Sequence, residues 1–129
     1  MGYIGQLPGT KALTASDIAD NLLNSALKEL QKLSIKIIKV PGVFEIPVTI
    51  IKNFKKYDAA IALGCVIKGE TPHFEFISSA STDAIMKISI ETKKPVGNGI
   101  ITCLNKEQAT ARGNKGREAA RAVLSVLSQ

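Results

Sequence analysis

Apolar side chains along this chain change period several times, and each change predicts an element. Between residues 16 and 33, Ile18, Leu22, Leu23, Ala26, Leu27 and Leu30 fall on one face of a 3.6-residue period, which predicts an amphipathic helix with Ser16 as its N-cap. Ile35, Ile37, Ile38 and Val40 are β-branched and stop at Pro41-Gly42, the pattern of a short strand entering a turn. A second helix is predicted from Glu45 to Asn53. Asp58 to Ile67 is almost continuously apolar, as expected of a parallel strand covered on both faces. Gly69 to Pro72 interrupt it, and apolar positions then recur at helical spacing from Phe74 through Ile77, Ala84, Ile85 and Ile88 to about Thr92. One more strand is predicted over Val96 to Thr102, and one more helix over Glu118 to Leu127.

Strands alternating with helices specify a parallel α/β sandwich, in which ligands bind beyond the carboxyl ends of the strands. The loops at those ends are Pro41 to Glu45, Lys68 to His73, and Thr102 onward. A length of 129 residues supports one core, and 45% hydrophobic with 22% charged residues is the balance of a folded protein. No apolar run approaches the roughly 20 residues of a bilayer span, and the segment from Met1 to Pro8 lacks the basic and apolar regions of a signal peptide, so a cytoplasmic location away from membranes is expected. The net charge of +6 suits a nucleic-acid binder. Its 17 lysines and arginines are nevertheless scattered, with few aromatic residues between them, so a small anionic substrate is the preferred explanation and no nucleic-acid partner is expected. Cys65 and Cys103 lack CxxC spacing, and buried thiols are expected rather than a metal site.

The richest segment runs from Gly64 to His73, out of a buried strand, through a glycine loop and into a helix. Thr71 is placed to cap that helix and Pro72 to occupy its first position. Its unpaired N–H groups and partial positive charge would stabilise a phosphate near Glu70 and Thr71, although an ordinary capped helix accounts for the same residues. His73, the single histidine, falls in the first turn, where it can exchange protons near neutral pH. A surface histidine without a role is the alternative. Phe44 and Glu45 bring an aromatic ring and a carboxylate to the adjacent strand end, where Glu45 can accept hydrogen bonds from hydroxyl groups. Arg112 and Lys115 add two cations near a later loop, suited either to phosphate or simply to solvent.

Taken in order, Val40 to Pro47, Tyr57 to Phe74, Pro95 to Thr102, Glu107 to Ala109 and Asn114 to Gly116 resemble the motifs of the lumazine synthase family, over about residues 16 to 129. The resemblance implies a three-layer α/β/α sandwich with a flavodoxin-like parallel sheet. It implies a transferase of riboflavin biosynthesis, joining 5-amino-6-(D-ribitylamino)uracil to 3,4-dihydroxy-2-butanone 4-phosphate with release of phosphate and without metal or organic cofactor. His73 would then shuttle protons, and Glu70, Thr71 and Arg112 would hold the phosphate. Val43, Phe44, Glu45 and the backbone of Cys65, Val66 and Ile67 would contact the other substrate. Family members form pentamers with sites shared between neighbours, so a homopentamer is expected, with Asn98 and Lys115 approaching from the adjacent subunit.

Two departures accompany the match. Where the family opens with an apolar strand ending in an aromatic residue, this chain has Gly5, Pro8, Gly9 and Lys11, with Thr14 near the aromatic position. Residues 1–15 are therefore expected as an irregular segment, the N-terminal strand atypical or missing, ahead of a single domain over 16–129. The family also places several more residues between the arginine and Asn-Lys-Gly than separate Arg112 from Asn114 here. A catalytically impaired flavin- or lumazine-binding or assembly protein of the same fold is the alternative these departures suggest.

Overall fold

The computed structural model describes residues 2–6, 17–31, 33–69 and 72–129, and side chains from residue 20 onward except at 32, 70, 71, 74 and 106. In chain order these form β1 (Gly2–Gln6), α1 (Asp17–Glu29), β2 (Lys36–Val40), α2 (Ile46–Asn53), β3 (Ala60–Ile67), α3 (His73–Thr92), β4 (Val96–Cys103), α4 (Lys106–Ala111) and α5 (Lys115–Leu127). The expected α/β architecture is present.

β3 and β4 form a parallel ladder from Ala60 opposite Val96 to Ile67 opposite Cys103. Alternation along β3 builds two cores. Ile61 and Leu63 pack with Ile101 and Cys103 against Leu22, Leu23, Ala26 and Leu30 of α1 and against Ala119, Ala120 and Val123 of α5. Ala60 and Ala62 face the other way, against Val43, Ile46, Ile50 and Phe54 around α2 and Ile85 and Ile88 of α3. The strand pair thus lies between two helical layers.

The N-terminal strand is present and atypical. Gly2–Gln6 pair antiparallel with β2, Gly2 opposite Val40 and Gln6 opposite Lys36, within the stretch expected to be irregular. β1 also runs close to β3 without a ladder between them. Thr14 and the proposed cap Ser16 lie outside the described residues.

Element boundaries differ from the sequence expectation for identifiable reasons. α1 ends at Glu29, four residues early, because the chain there tightens, Leu30 N–H donating to Leu27 at 3.1 Å and Leu33 N–H to Leu30 at 3.0 Å. α4 was not expected at all; a six-residue helix carries too few turns for a periodic signal, and it is held by capping. Asn105 Oδ1 accepts from Gln108 N–H at 2.9 Å while Gln108 Oε1 accepts from Leu104 N–H at 2.8 Å.

α5 starts at Lys115 rather than Glu118, although Asn114 makes no side-chain cap. The Asn114 carbonyl accepts the Arg117 N–H at 3.0 Å, and the side-chain contact comes from another helix, Ser25 Oγ of α1 sharing the same N–H at 3.1 Å. That crossing requires Gly116, since a Cβ there would overlap the Leu22 carbonyl and lie 2.7 Å from Ser25 Oγ. Gly97 of β4 meets α5 in the same manner, its added Cβ falling 2.6 Å from the Ala119 carbonyl oxygen. Glu29 joins the two helices again by ion pairs to Arg117 and Arg121 at 3.2 and 3.3 Å, on a partly exposed surface.

Close backbone approach therefore matters more to this helix pair than its charges. Gly116→Ala is expected to destabilise the fold by about 2 kcal/mol or more through overpacking, and Glu29→Gln by less than about 1 kcal/mol because the pairs are solvent-screened. Denaturant midpoints of the two variants test that order.

Candidate active site

Parallel strands deliver their C-terminal ends to one edge of the sheet, and an open cleft of about 600 Å³ lies there. Its first wall is the turn that follows β2. Val43–Glu45 form a single 3-10 turn leading directly into α2, with Val43 buried and Phe44 61% exposed at the rim. Glu45, the residue preceding α2, contributes its carboxylate to the lining. Cys65, Val66 and Ile67, the last turn of the ladder, form the floor. Among the described residues, the edge of β3 away from β4 carries no ladder, although β1 runs close to this strand.

His73 opens the opposite wall as the first residue of α3, with Ile77 one turn further. The helix is initiated by Pro72, whose carbonyl accepts the N–H groups of Glu75 and Phe76 at 3.1 and 3.3 Å. Pro72 thus stands at the N-cap rather than in the first helical position, a correction of one residue that leaves His73 in the first turn. Glu70 and Thr71, the expected phosphate contacts, lie outside the described residues.

The remaining candidates gather elsewhere. Asn98, Arg112 and Lys115 line a second cleft of about 560 Å³ between β4 and the start of α5, together with Thr102, Asn114 and Glu118. Asn98 is exposed in mid-strand, its Oδ1 accepting the Ile100 N–H at 3.1 Å. Arg112 caps the end of α4 and donates from Nη1 to the Thr102 carbonyl at 3.2 Å, with Cys103 Sγ at 4.0 Å. Within one chain the structure therefore brings Val43, Phe44, Glu45, Cys65, Val66, Ile67 and His73 together, and Arg112 belongs to a different group.

Two supporting roles escaped the sequence reading. Gln108 and Ser25 touch neither substrate-like space nor each other, yet they fix the loops on either side of Arg112. Gln108 had a weak signal, standing three residues after Asn105 in a capping pattern. Ser25 had none, because its partners are 88 and 92 residues away.

Cys65 is half-buried, and burial together with the neighbouring Cys103 pushes its thiol up to about 11. A thiol so disposed stays protonated through the physiological range and serves the cleft as an apolar surface rather than a nucleophile.

Residues 11–129 match the family model described as 6,7-dimethyl-8-ribityllumazine synthase. A protein of that name from Rhodopseudomonas palustris, numbered 1, is 46% identical over 125 residues, covering 86% of this chain and 77% of the relative. The one from Nitrobacter hamburgensis is 44% identical with the same coverage. That from Corynebacterium kroppenstedtii is 46% identical over 112 residues, 80% of this chain and 70% of its own.

The environment of Cys65 has a direct chemical consequence. At pH 8.5 its alkylation by iodoacetamide should run at least about tenfold slower than that of free cysteine, and accelerate only as pH approaches 11. Mass-spectrometric time courses read the rate, and modification as fast as free cysteine would contradict the assignment of an inert thiol.

Proposed function

This chain belongs to the 6,7-dimethyl-8-ribityllumazine synthase family, and from that premise we propose how its two clefts carry out the reaction. It is a transferase of riboflavin biosynthesis, condensing 5-amino-6-(D-ribitylamino)uracil with 3,4-dihydroxy-2-butanone 4-phosphate to the lumazine and releasing phosphate. The observation that carries the site assignment is the gathering of an aromatic ring, a carboxylate, a strand end and the single histidine around one open cleft.

Each part has a chemical task. The backbone of β3 at Cys65 to Ile67, which lines the cleft, offers donors and acceptors to the pyrimidine, and the exposed Phe44 ring covers it from the rim. Glu45 accepts hydrogen bonds from ribityl hydroxyls. Amine attack on the ketone, imine formation, phosphate loss and ring closure all move protons, and the His73 imidazole at the cleft wall is the group assigned to accept and return them. Glu70 and Thr71, between β3 and α3, complete the phosphate contacts in this reading. The protein's contribution is chiefly to hold two reactants against one another, with the phosphate as an anchor.

Arg112, Asn98 and Lys115 complete this site from a second copy of the chain. Their separate cleft supports that reading, and so does the surface beside it. Phe76, Met86 and Ile90 of α3 are each at least 60% exposed, and Val48 and Ile51 of α2 at least 50%. Apolar side chains repeated along two adjacent helices suit a subunit contact. A closed ring of five copies gives every first cleft a neighbour's second cleft. Arg112 brings a cation that no described residue of the first cleft supplies. A cytoplasmic location agrees with two free cysteines. The non-catalytic alternative has less support, since the relatives cited are named as synthases.

Purified protein supplied with both substrates should form fluorescent lumazine, and His73→Ala should slow the limiting rate by about 10²-fold or more. An unchanged rate in that variant would remove His73 from the mechanism. Shared sites predict complementation: His73→Ala and Arg112→Ala chains, each impaired alone, regain activity when assembled together, at about a quarter of the contacts in an equal random mixture. Failure of mixed rings to recover any activity would mean that one chain supplies both halves.

A further inference from the structure

The loop from Arg112 to Gly116 carries two of the three candidate residues of the second cleft, and it is anchored both within the cleft and from a helix outside it. Arg112 is tied at one end by its donation to the Thr102 carbonyl. Beyond it only Gly113 and Asn114 separate α4 from α5, and neither forms a side-chain cap. The turn closes on its own backbone once, Lys115 N–H donating to the Arg112 carbonyl at 3.0 Å, and Ser25 of α1 is the side chain that ties it to the neighbouring helix. Its hydroxyl donates to the Gly113 carbonyl at 2.8 Å, in competition with the Leu22 carbonyl of its own helix at 3.0 Å, and accepts the Arg117 N–H at 3.1 Å. A hydroxyl can satisfy both duties at once, with one donated proton and a free lone pair.

We propose that Ser25 is a positioning residue for Arg112 and Lys115, fixing the short Arg112–Gly116 loop so that both cations face the phosphate of the four-carbon ketone. Two further observations make the clamp specific. Gly116 permits α1 and α5 to approach until Ser25 reaches across, since any Cβ there would meet Leu22 and Ser25. Gly113 packs on α1 as well, its added Cβ falling 3.2 Å from Asn21 Cβ. With α1 as a fixed abutment, the loop cannot swing without breaking both hydrogen bonds. Losing them would leave the loop held only by the Thr102 and Arg112 carbonyl contacts, loosening Arg112 and Lys115 together while leaving His73, Glu45 and the β3 end untouched. The effect is therefore selective for one substrate. This inference rests on the functional reading above, in which those cations hold the phosphate.

The experiment compares steady-state kinetics of the assembled wild-type protein with Ser25→Ala, Ser25→Cys and the control Val123→Ala, which opens a cavity in α5 away from the loop. In Ser25→Ala the KM for the phosphorylated ketone and the inhibition constant of inorganic phosphate should both rise about tenfold, as for loss of one hydrogen bond to a charged group. The KM for the ribitylamino-uracil and the limiting rate at saturating ketone should stay within about twofold. Ser25→Cys, which keeps a donor but a weaker and slightly larger one, should shift the same two constants less. Val123→Ala should lower Tm without shifting either KM. A Ser25→Ala or Ser25→Cys protein that loses Tm alone, or raises both KM values equally, would overturn the positioning role. A wild-type protein that makes no lumazine would instead overturn the functional reading, before Ser25 enters.

Discussion

Parallel pairing of β3 with β4 is the constraint from which the rest of the structure follows. Two parallel neighbours cannot be joined by a tight turn, so the chain must travel back across the sheet before the second strand begins. α3 is that return path, and its N-terminus necessarily starts where β3 ends. His73 stands at the site because it is the first residue of this obligatory crossover. The same geometry explains why the turn after β2 lies opposite it. Val43 is buried in the core shared with α2 and α3, which brings Phe44 and Glu45 to the edge of the cleft.

Burial on both faces imposes a second demand, that helices approach the strands closely. Small residues meet it. Ala60 and Ala62 accept Ile46, Ile50 and Ile85 on one side, while Gly97 and Gly99 admit Ala119 on the other. The closest approach is between helices, at Gly116, where the backbone of α1 occupies the space a side chain would need. Such contacts gain dispersion energy without adding polar groups to the interior. They also leave little freedom for the start of α5, so a requirement of the core becomes a requirement on where Lys115 stands.

A reaction site divided between chains, as proposed above, would separate two physical tasks. The cleft at the β3 end is shaped by backbone and apolar surface, suited to a flat heterocycle with hydroxylated substituents. The cleft beside β4 carries Arg112 and Lys115, suited to an anion. Joining them through assembly would place the anion site against the heterocycle site only in the complete ring, where water is also excluded from the reacting atoms. The exposed apolar stripes of α2 and α3 would give such assembly a driving force independent of substrate.

Much of this was legible along the chain, because the relevant signals are local. Period alone located the helices over α1 and α3 and the doubly buried strand β3, and the motifs on either side of His73 named the family. The site was legible only in part. Val43 to Glu45, Cys65 to Ile67 and His73 are short consecutive segments at strand ends, whose meeting follows from the topology that periodicity predicts. Arg112 carried no mark of which cleft it joins, since that depends on how α4 ends and on the Thr102 carbonyl it reaches. The antiparallel course of β1, the early start of α5 and the clamp by Ser25 were equally invisible. Each arises from hydrogen bonds or backbone approaches between residues tens of positions apart, and only the folded chain brings those partners within reach.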